Sequence, residues 1–323
     1  MDIVVGGSGF LGQNLARALL KEKRDVLICD KNAVESTDLQ SVPFRQIDVT
    51  KPASLENIGA GPDDTIYHFA ANLLVPIPPR RERHAFFFDV NYTGTVNLLN
   101  YLKKQGCSRV VYFTTDMVYG RGKEDLRKED DPREPLGPYG ESKLQSELLC
   151  EEYRKDGMRI TIFRPRLIIG PGRLGILTKL FKLIDSNLPV PMIGNGKNYY
   201  QFISVYDCVL ASMLAVDKGI PNAEYNLGSK NPPTVRGLLG GLIRDVGSKS
   251  ILVPTPAPMV KACLAALDHL GMPLMDPEQY VIANEDCVLS TEKAERELGW
   301  HAEHSDVAML RSAYDEYISY KAG

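Results

Sequence analysis

The chain has 323 residues, 44% hydrophobic and 24% charged, with a formal charge of -3, which is enough for one large domain or for two lobes around a cleft. That balance lacks the basic excess of a general nucleic-acid surface, and no apolar run approaches the length of a membrane span. Six cysteines (Cys29, Cys107, Cys150, Cys208, Cys263 and Cys287) are scattered without a CxxC pair, and no histidines stand at metal-ligand spacing. Buried thiols in a reducing compartment are therefore expected, with no disulfide framework and no metal. A strand-like segment follows Met1 almost at once, leaving no room for a secretory leader, so the cytoplasm is the expected location.

In chain order, short apolar runs alternate with longer amphipathic ones. DIVVGG (residues 2–7), DVLICD (25–30), PFRQIDV (43–49), TIYHFAA (65–71), RVVYFTT (109–115) and RITIFRP (159–165) read as buried strands. Between them, FLGQNLARALLKEK (10–23), NYTGTVNLLNYLKKQG (91–106) and PYGESKLQSELLCEEYRKDG (138–157) carry apolar residues at helical spacing. Such alternation predicts an α/β fold, a doubly wound parallel sheet covered by helices on both faces. After residue 165 the rhythm changes. FISVYDC (202–208) and EYNLG (224–228) read as short strands returning to the larger domain, while residues 170–198 and 229–300 are expected in a smaller α+β lobe, for a division into 1–165 and, mainly, 166–323.

Between the first strand and the first helix stands GGSGFLG, with Gly6, Gly9 and Gly12 spaced for a tight turn that brings backbone close to a pyrophosphate at a helix N-terminus. Asp30 closes the second strand, where a carboxylate accepts ribose hydroxyls and repels a 2′-phosphate; this favours NAD over NADP, with Lys31 next door acting against it. Asp48 and Val49, ending the third strand, are placed to border the adenine, although an aspartate opening a Thr-Lys-Pro turn needs no such role. Tyr139 and Lys143 are four apart on a helix and so share a face. A phenol has a reference pKa of about 10 and needs a neighbouring cation to serve as a base. Lys143 supplies that cation, and Thr115 supplies a hydroxyl to steer a substrate oxygen toward Tyr139.

With these residues in place the sequence resembles the extended short-chain dehydrogenase/reductase family, in its NAD-dependent nucleotide-sugar epimerase/dehydratase branch. GGSGFLG (6–12), YHFAA (67–71), NYTGTVNLL (91–99), TTDMVYG (114–120), YGESK (139–143), FRPRLIIGPG (163–172) and STEKAERELGW (290–300) follow the family's order over nearly the whole chain. The resemblance implies a Rossmann lobe holding NAD, a C-terminal lobe closing over a nucleotide sugar, and a catalytic trio of Thr115, Tyr139 and Lys143. It further implies that Phe10 and Leu11 touch the pyrophosphate, that Phe69, Ala70 and Ala71 line the cofactor, and that two copies pair through the helices beginning near Asn91 and Tyr139.

The similar 4,6-dehydratases carry Thr-Asp-Glu before Val-Tyr-Gly, the aspartate serving as acid and the glutamate as base. Here Asp116 is kept, but Met117 stands in the glutamate's place, and a thioether has no proton to exchange. Elimination is then disfavoured unless another carboxylate, such as Glu141, reaches the same carbon. Oxidation of a secondary alcohol, at C4 of the sugar, and re-reduction on the opposite face remain, making a sugar epimerase the first expectation. A net dehydrogenase or ketoreductase, a dehydratase, or a dehydrogenase of sterol or lipid alcohols is the alternative.

Departures from the family's pattern concern the substrate. Leu167 replaces a frequent asparagine, and Tyr200 with Gln201 replaces an Arg-Asp pair whose arginine grips the diphosphate. Asp116, Met117, Arg166, Arg173 and Tyr200 are the substrate-side candidates, and Lys197 is a further cation. PPRRERH (78–84) reads as a solvated mobile loop, Phe86, Phe87 and Phe88 as core or dimer contact, and PMVKACLAALDHLGMPLM (258–275) as an amphipathic core helix or a lid over an apolar substrate.

Overall fold

A computed structural model of the chain describes residues 1–172 and 177–322. Its strands are β1 (Asp2–Val5), β2 (Val26–Asp30), β3 (Phe44–Gln46), β4 (Thr65–His68), β5 (Arg109–Phe113), β6 (Arg159–Pro165), β7 (Leu167–Ile169), β8 (Val190–Ile193), β9 (Phe202–Ser204), β10 (Glu224–Leu227) and β11 (Leu252–Thr255). The helices are α1 (Phe10–Lys21), α2 (Pro52–Leu55), α3 (Arg83–Phe87), α4 (Gly94–Lys104), α5 (Pro138–Lys155), α6 (Leu177–Asp185), α7 (Val205–Asp217), α8 (Val235–Asp245), α9 (Ala257–His269), α10 (Pro277–Val281), α11 (Glu292–Leu298) and α12 (Asp306–Ala322).

Seven strands form one sheet in the order β10-β6-β5-β4-β1-β2-β3, and every pairing is parallel. The apolar runs behave as two-faced strands must. Val4, Ile28, Tyr67, Val111 and Phe163 face a layer containing α1 and α7, while Ile3, Val5, Leu27, Ile66, Val110 and Ile162 face one containing α4 and α5. The chain order reverses beside β1, between β2 and β4. In such sheets the crevice off the carboxyl ends of these strands is where a ligand binds. This is the α/β, Rossmann-type doubly wound architecture.

A second core gathers Leu177, Phe181 and Ile184 of α6 with Leu238 and Leu242 of α8 and Leu310 and Tyr314 of α12, beside the two-stranded sheets β11-β8 and β7-β9. Four local expectations change in the structure. FISVYDC is strand only through Ser204, because the Ser204 hydroxyl accepts the Tyr206 amide at 3.1 Å and starts α7 at once. Residues 292–300 pack into the larger core: Trp300 is fully buried and its indole N–H donates to the Asp207 carbonyl at 2.9 Å. PPRRERH enters α3 through a short turn at residues 80–82, and Arg83 is buried in an ion pair with Asp268. Helix α9, read as an amphipathic core helix or a lid, departs from the first of these: Asp268 is its one fully buried residue.

Candidate active site

The glycine loop turns from β1 into α1 under tight steric constraint. Gly6 has φ of +83°, and a Cβ there would meet the Ala70 backbone nitrogen at 2.4 Å; a Cβ on Gly12 would meet the Gly6 carbonyl at 2.4 Å. The second contact lets α1 approach the strand end closely enough for its N-terminus to face the crevice. No side chain caps α1 at Gly9, and no acidic residue lies in its first turn. A helix start left in this way favours an anion, through its amide donors and its dipole.

Asp30 stands beside the loop and shapes it. One carboxylate oxygen accepts the Ser8 amide at 3.0 Å and the other the Asn32 amide at 3.1 Å. Lys31 is exposed. Asp48 accepts the Thr50 amide at 3.0 Å, the local turn bond its sequence allows, and Val49 is buried against Gly94. Asp30, Lys31, Asp48, Val49 and Ala70 all lie outside the walls of the main cavity, whereas Gly6, Gly9, Phe10, Leu11, Gly12, Phe69 and Ala71 line it.

That cavity holds about 390 Å³, and its walls also include Thr115, Asp116, Met117, Tyr139, Lys143, Arg166 and Tyr200. The end of β5 delivers the first three. Thr115 is extended; its hydroxyl oxygen accepts the Met117 amide at 3.2 Å and its proton is donated to the Asp116 carboxylate at 3.4 Å, a long bond that a substrate oxygen in the cavity can replace. Met117 is buried among Leu74, Phe87, Tyr139 and Ile282. Glu141 is exposed and away from the walls, and Asp116 is the only carboxylate among the described residues lining them.

Helix α5 carries Tyr139 and Lys143 on its inner face. Tyr139 is buried, with its ring edge-on to Phe87 at 5.4 Å between centroids. Lys143 donates to the Phe113 carbonyl at 3.2 Å and lies over the Tyr112 ring at 5.2 Å; burial lowers its pKa to about 8. Two anchors fix the helix, and neither was singled out from the sequence. Glu147, fully buried, accepts Arg164 at 2.7 Å and the Thr114 hydroxyl at 2.6 Å. It lies eight residues after Tyr139, a spacing that already puts it on the same helix face. Glu278, from α10, accepts the Tyr139 amide at 2.8 Å and the Gly140 amide at 2.9 Å, capping the helix from the other lobe. Burial raises the Glu278 pKa to about 7. No local pattern announces such a partner.

Arg166, a buried residue, pairs with Asp116, donates from Nε to the Gln201 carbonyl at 3.3 Å, and stacks on the Tyr200 ring at 4.5 Å. Its second terminal nitrogen has no hydrogen-bond partner among the described residues. Burial works against the guanidinium's charge, but Asp116 outweighs it and raises the pKa. Tyr200 therefore stands against a cation rather than supplying one. Lys197 is exposed and is not among the wall residues. Arg173 lies outside the described residues.

The glycine cradle, the uncapped helix start, Asp30 beside the loop and a buried ammonium at the inner end of the cavity suit a dinucleotide, so the residues present fit NAD. Known proteins point the same way. The N-acetyl-alpha-D-glucosaminyl-diphospho-ditrans,octacis-undecaprenol 4-epimerase of Escherichia coli O157:H7 is 29% identical over 76% of this chain and 80% of its own. Two solved structures share the fold. One is the UDP-glucose 4-epimerase of Thermotoga maritima with UDP-glucose (TM-score 0.81, 23% identity, all of both chains). The other is the UDP-glucose 4-epimerase of Thermus thermophilus in complex with NAD (TM-score 0.77, 22% identity, 98% of this chain and 99% of that one). Residues 3–228 match the NAD dependent epimerase/dehydratase family. With that match covering more than two thirds of its length, the chain belongs to the NAD dependent epimerase/dehydratase family.

Proposed function

We propose that the protein is an NAD-dependent nucleotide-sugar epimerase, which oxidises a secondary alcohol of the sugar, at C4, to a ketone and re-reduces it on the opposite face. The observation that carries this reading is that Tyr139, Lys143 and Thr115 line the same cavity as the glycine loop. NAD, when bound, takes up and returns the hydride. Tyr139 receives the hydroxyl proton and gives it back. The Lys143 ammonium favours the phenolate form and is placed to hold a ribose hydroxyl, and the Thr115 hydroxyl donates to the reacting oxygen.

Dehydration is the weaker alternative on this chemistry. Asp116 is engaged by Arg166, and Met117 cannot take a proton from carbon. Gly6, Gly9, Phe10, Leu11 and Gly12 are assigned to the pyrophosphate, Asp30 to the adenosine ribose, and Asp116, Met117, Arg166 and Tyr200 to the sugar side. A homodimer through α4 and α5 in the cytoplasm completes the proposal.

A second reading concerns the group that carries the sugar. Leu73, Leu74, Val75, Ile168, Leu177 and Ile282 give the cavity aliphatic walls. A sugar on a polyisoprenyl diphosphate, the substrate class named for the E. coli O157:H7 relative, would suit such walls better than a nucleoside. The purified protein incubated with both classes of substrate, with stereochemistry followed by NMR and reduced cofactor by absorbance, separates the readings. Epimer without accumulating NADH supports the proposal; stoichiometric NADH indicates a dehydrogenase, and a 4-keto-6-deoxy sugar indicates a dehydratase.

A further inference from the structure

Helix α9 turns an apolar face outward. Its one buried residue is Asp268, which pairs with the buried Arg83, and its Lys261 ammonium donates to the Val281 carbonyl. The outward residues are apolar instead. Met259 is 58% exposed, Ala262, Cys263 and Ala266 are exposed, and the stripe continues through Leu270 at 71%, Met272 at 56% and Leu274 at 52%. Met259, Cys263, Ala266 and Leu270 recur at helical spacing and form one continuous face. Soluble surfaces scatter single apolar residues, and a contiguous stripe of this kind marks a contact surface.

The charge around the stripe indicates what it meets. Arg80 contacts His269 at the end of α9, Arg81 is 89% exposed beside it, and the exposed Lys179 on α6 lies 3.5 Å from the Leu274 carbonyl. Glu82 is the exposed acid of that loop, 3.6 Å from Arg81, while Asp268 is buried against Arg83 and Asp276 is buried 3.9 Å from it. Cations thus border an exposed, methionine- and leucine-rich ridge, a combination suited to anionic headgroups over acyl chains. Among the described residues no helix is long and apolar enough to cross a membrane, so this would be contact at the surface. The segments beside the stripe also reach the cavity: Val75, in the loop before Arg80, and Leu177, on α6 with Lys179, line it, as do Gln279 and Ile282 at α10, and Val75 is itself 45% exposed.

We infer that α9 and the Leu270–Leu274 turn dock the protein on an anionic phospholipid bilayer, with the cavity mouth turned toward the membrane. This does not rest on the identity of the substrate or on catalysis, and its test uses neither. The full-length protein is sedimented with vesicles of equal phosphatidylglycerol and phosphatidylcholine, and with phosphatidylcholine alone. Binding to the mixed vesicles that weakens with salt is expected, and the triple variant M259E/L270E/M272E should bind them at least about tenfold less, with an unchanged melting temperature. The variant R81Q/K179Q, which leaves the ridge intact, should lose the preference for anionic vesicles. The inference is overturned if the wild type ignores the mixed vesicles or if either variant binds like the wild type. It is equally overturned if the triple variant turns a dimer into a monomer in sedimentation equilibrium, since the ridge would then pack on a second copy.

Discussion

The loop side of the cavity draws on three short stretches, residues 6–12, 113–117 and 139–143, whereas the opposite side gathers Arg166, Tyr200, Gln279 and Ile282 from separate parts of the chain. The first side is held by backbone geometry: glycines too close to their neighbours for any Cβ, and a helix whose residues four apart must share a face. The second is held by charge, through the buried Asp116–Arg166 pair and the Glu278 carboxylate reaching across to α5. Backbone geometry serves one task, positioning a dinucleotide against a tyrosine, and tolerates little change. Charge pairing between distant segments can be rewired, which is why one such scaffold can accept different substrates.

Replacing Tyr139 by Phe strikes the first side at its reacting atom and should lower turnover by about 10²–10⁴-fold while cofactor binding, read by calorimetry, persists. On the second side, Arg166→Leu leaves the part-buried Asp116 carboxylate without its guanidinium and should cost about 3 kcal/mol in chemical denaturation, the low end for a buried pair, whereas the double variant D116L/R166L should recover most of it. Equal stability of the single and double variants would remove the pair from the account.

Between the two sides stands Glu278, with a pKa raised by burial from 4.5 to about 7. The folded state holds this proton more tightly than the unfolded chain. Its contribution therefore favours folding at low pH and declines as pH rises between 4.5 and about 7, by on the order of 3 kcal/mol. Unfolding midpoints of E278Q across that window should lack this decline. A smaller effect is expected at Asp30: Asp30→Asn keeps an acceptor for the Ser8 amide but removes the negative charge, and should move the NAD-to-NADP affinity ratio by about tenfold toward NADP. Smallest of all, Met117→Leu should change stability by less than about 1.5 kcal/mol and leave turnover near the wild type, because leucine keeps the apolar volume that Met117 fills beside Leu74, Phe87 and Ile282 in the cavity wall.

The same contrast governs what could be read before any coordinates. Strands buried on both faces announce themselves as β-branched runs, so the sheet, the glycine loop and the Tyr139–Lys143 pair follow from neighbours in sequence. Glu278 and Tyr139 are too far apart in the chain for any periodicity to link them. Arg83 and Asp268 meet across an equally long separation, so a run of arginines that looks like solvated loop contains one that is buried. Helix α9 misleads for a related reason: it is apolar on more than one face, so its pattern does not say which face turns inward, and the distant Arg83 pairs with Asp268 on the inward one. FISVYDC has strand-forming residues throughout, and only the Ser204 cap divides it.

The central claim is that Tyr139 and bound NAD oxidise and then re-reduce one sugar carbon without releasing the hydride. A substrate deuterated at that carbon tests it directly, with the label followed by NMR through conversion. The account predicts that the epimer keeps its deuterium at the inverted carbon, with no free reduced cofactor and with conversion abolished in Tyr139→Phe. Loss of the label to solvent, or undiminished conversion by that variant, would contradict it.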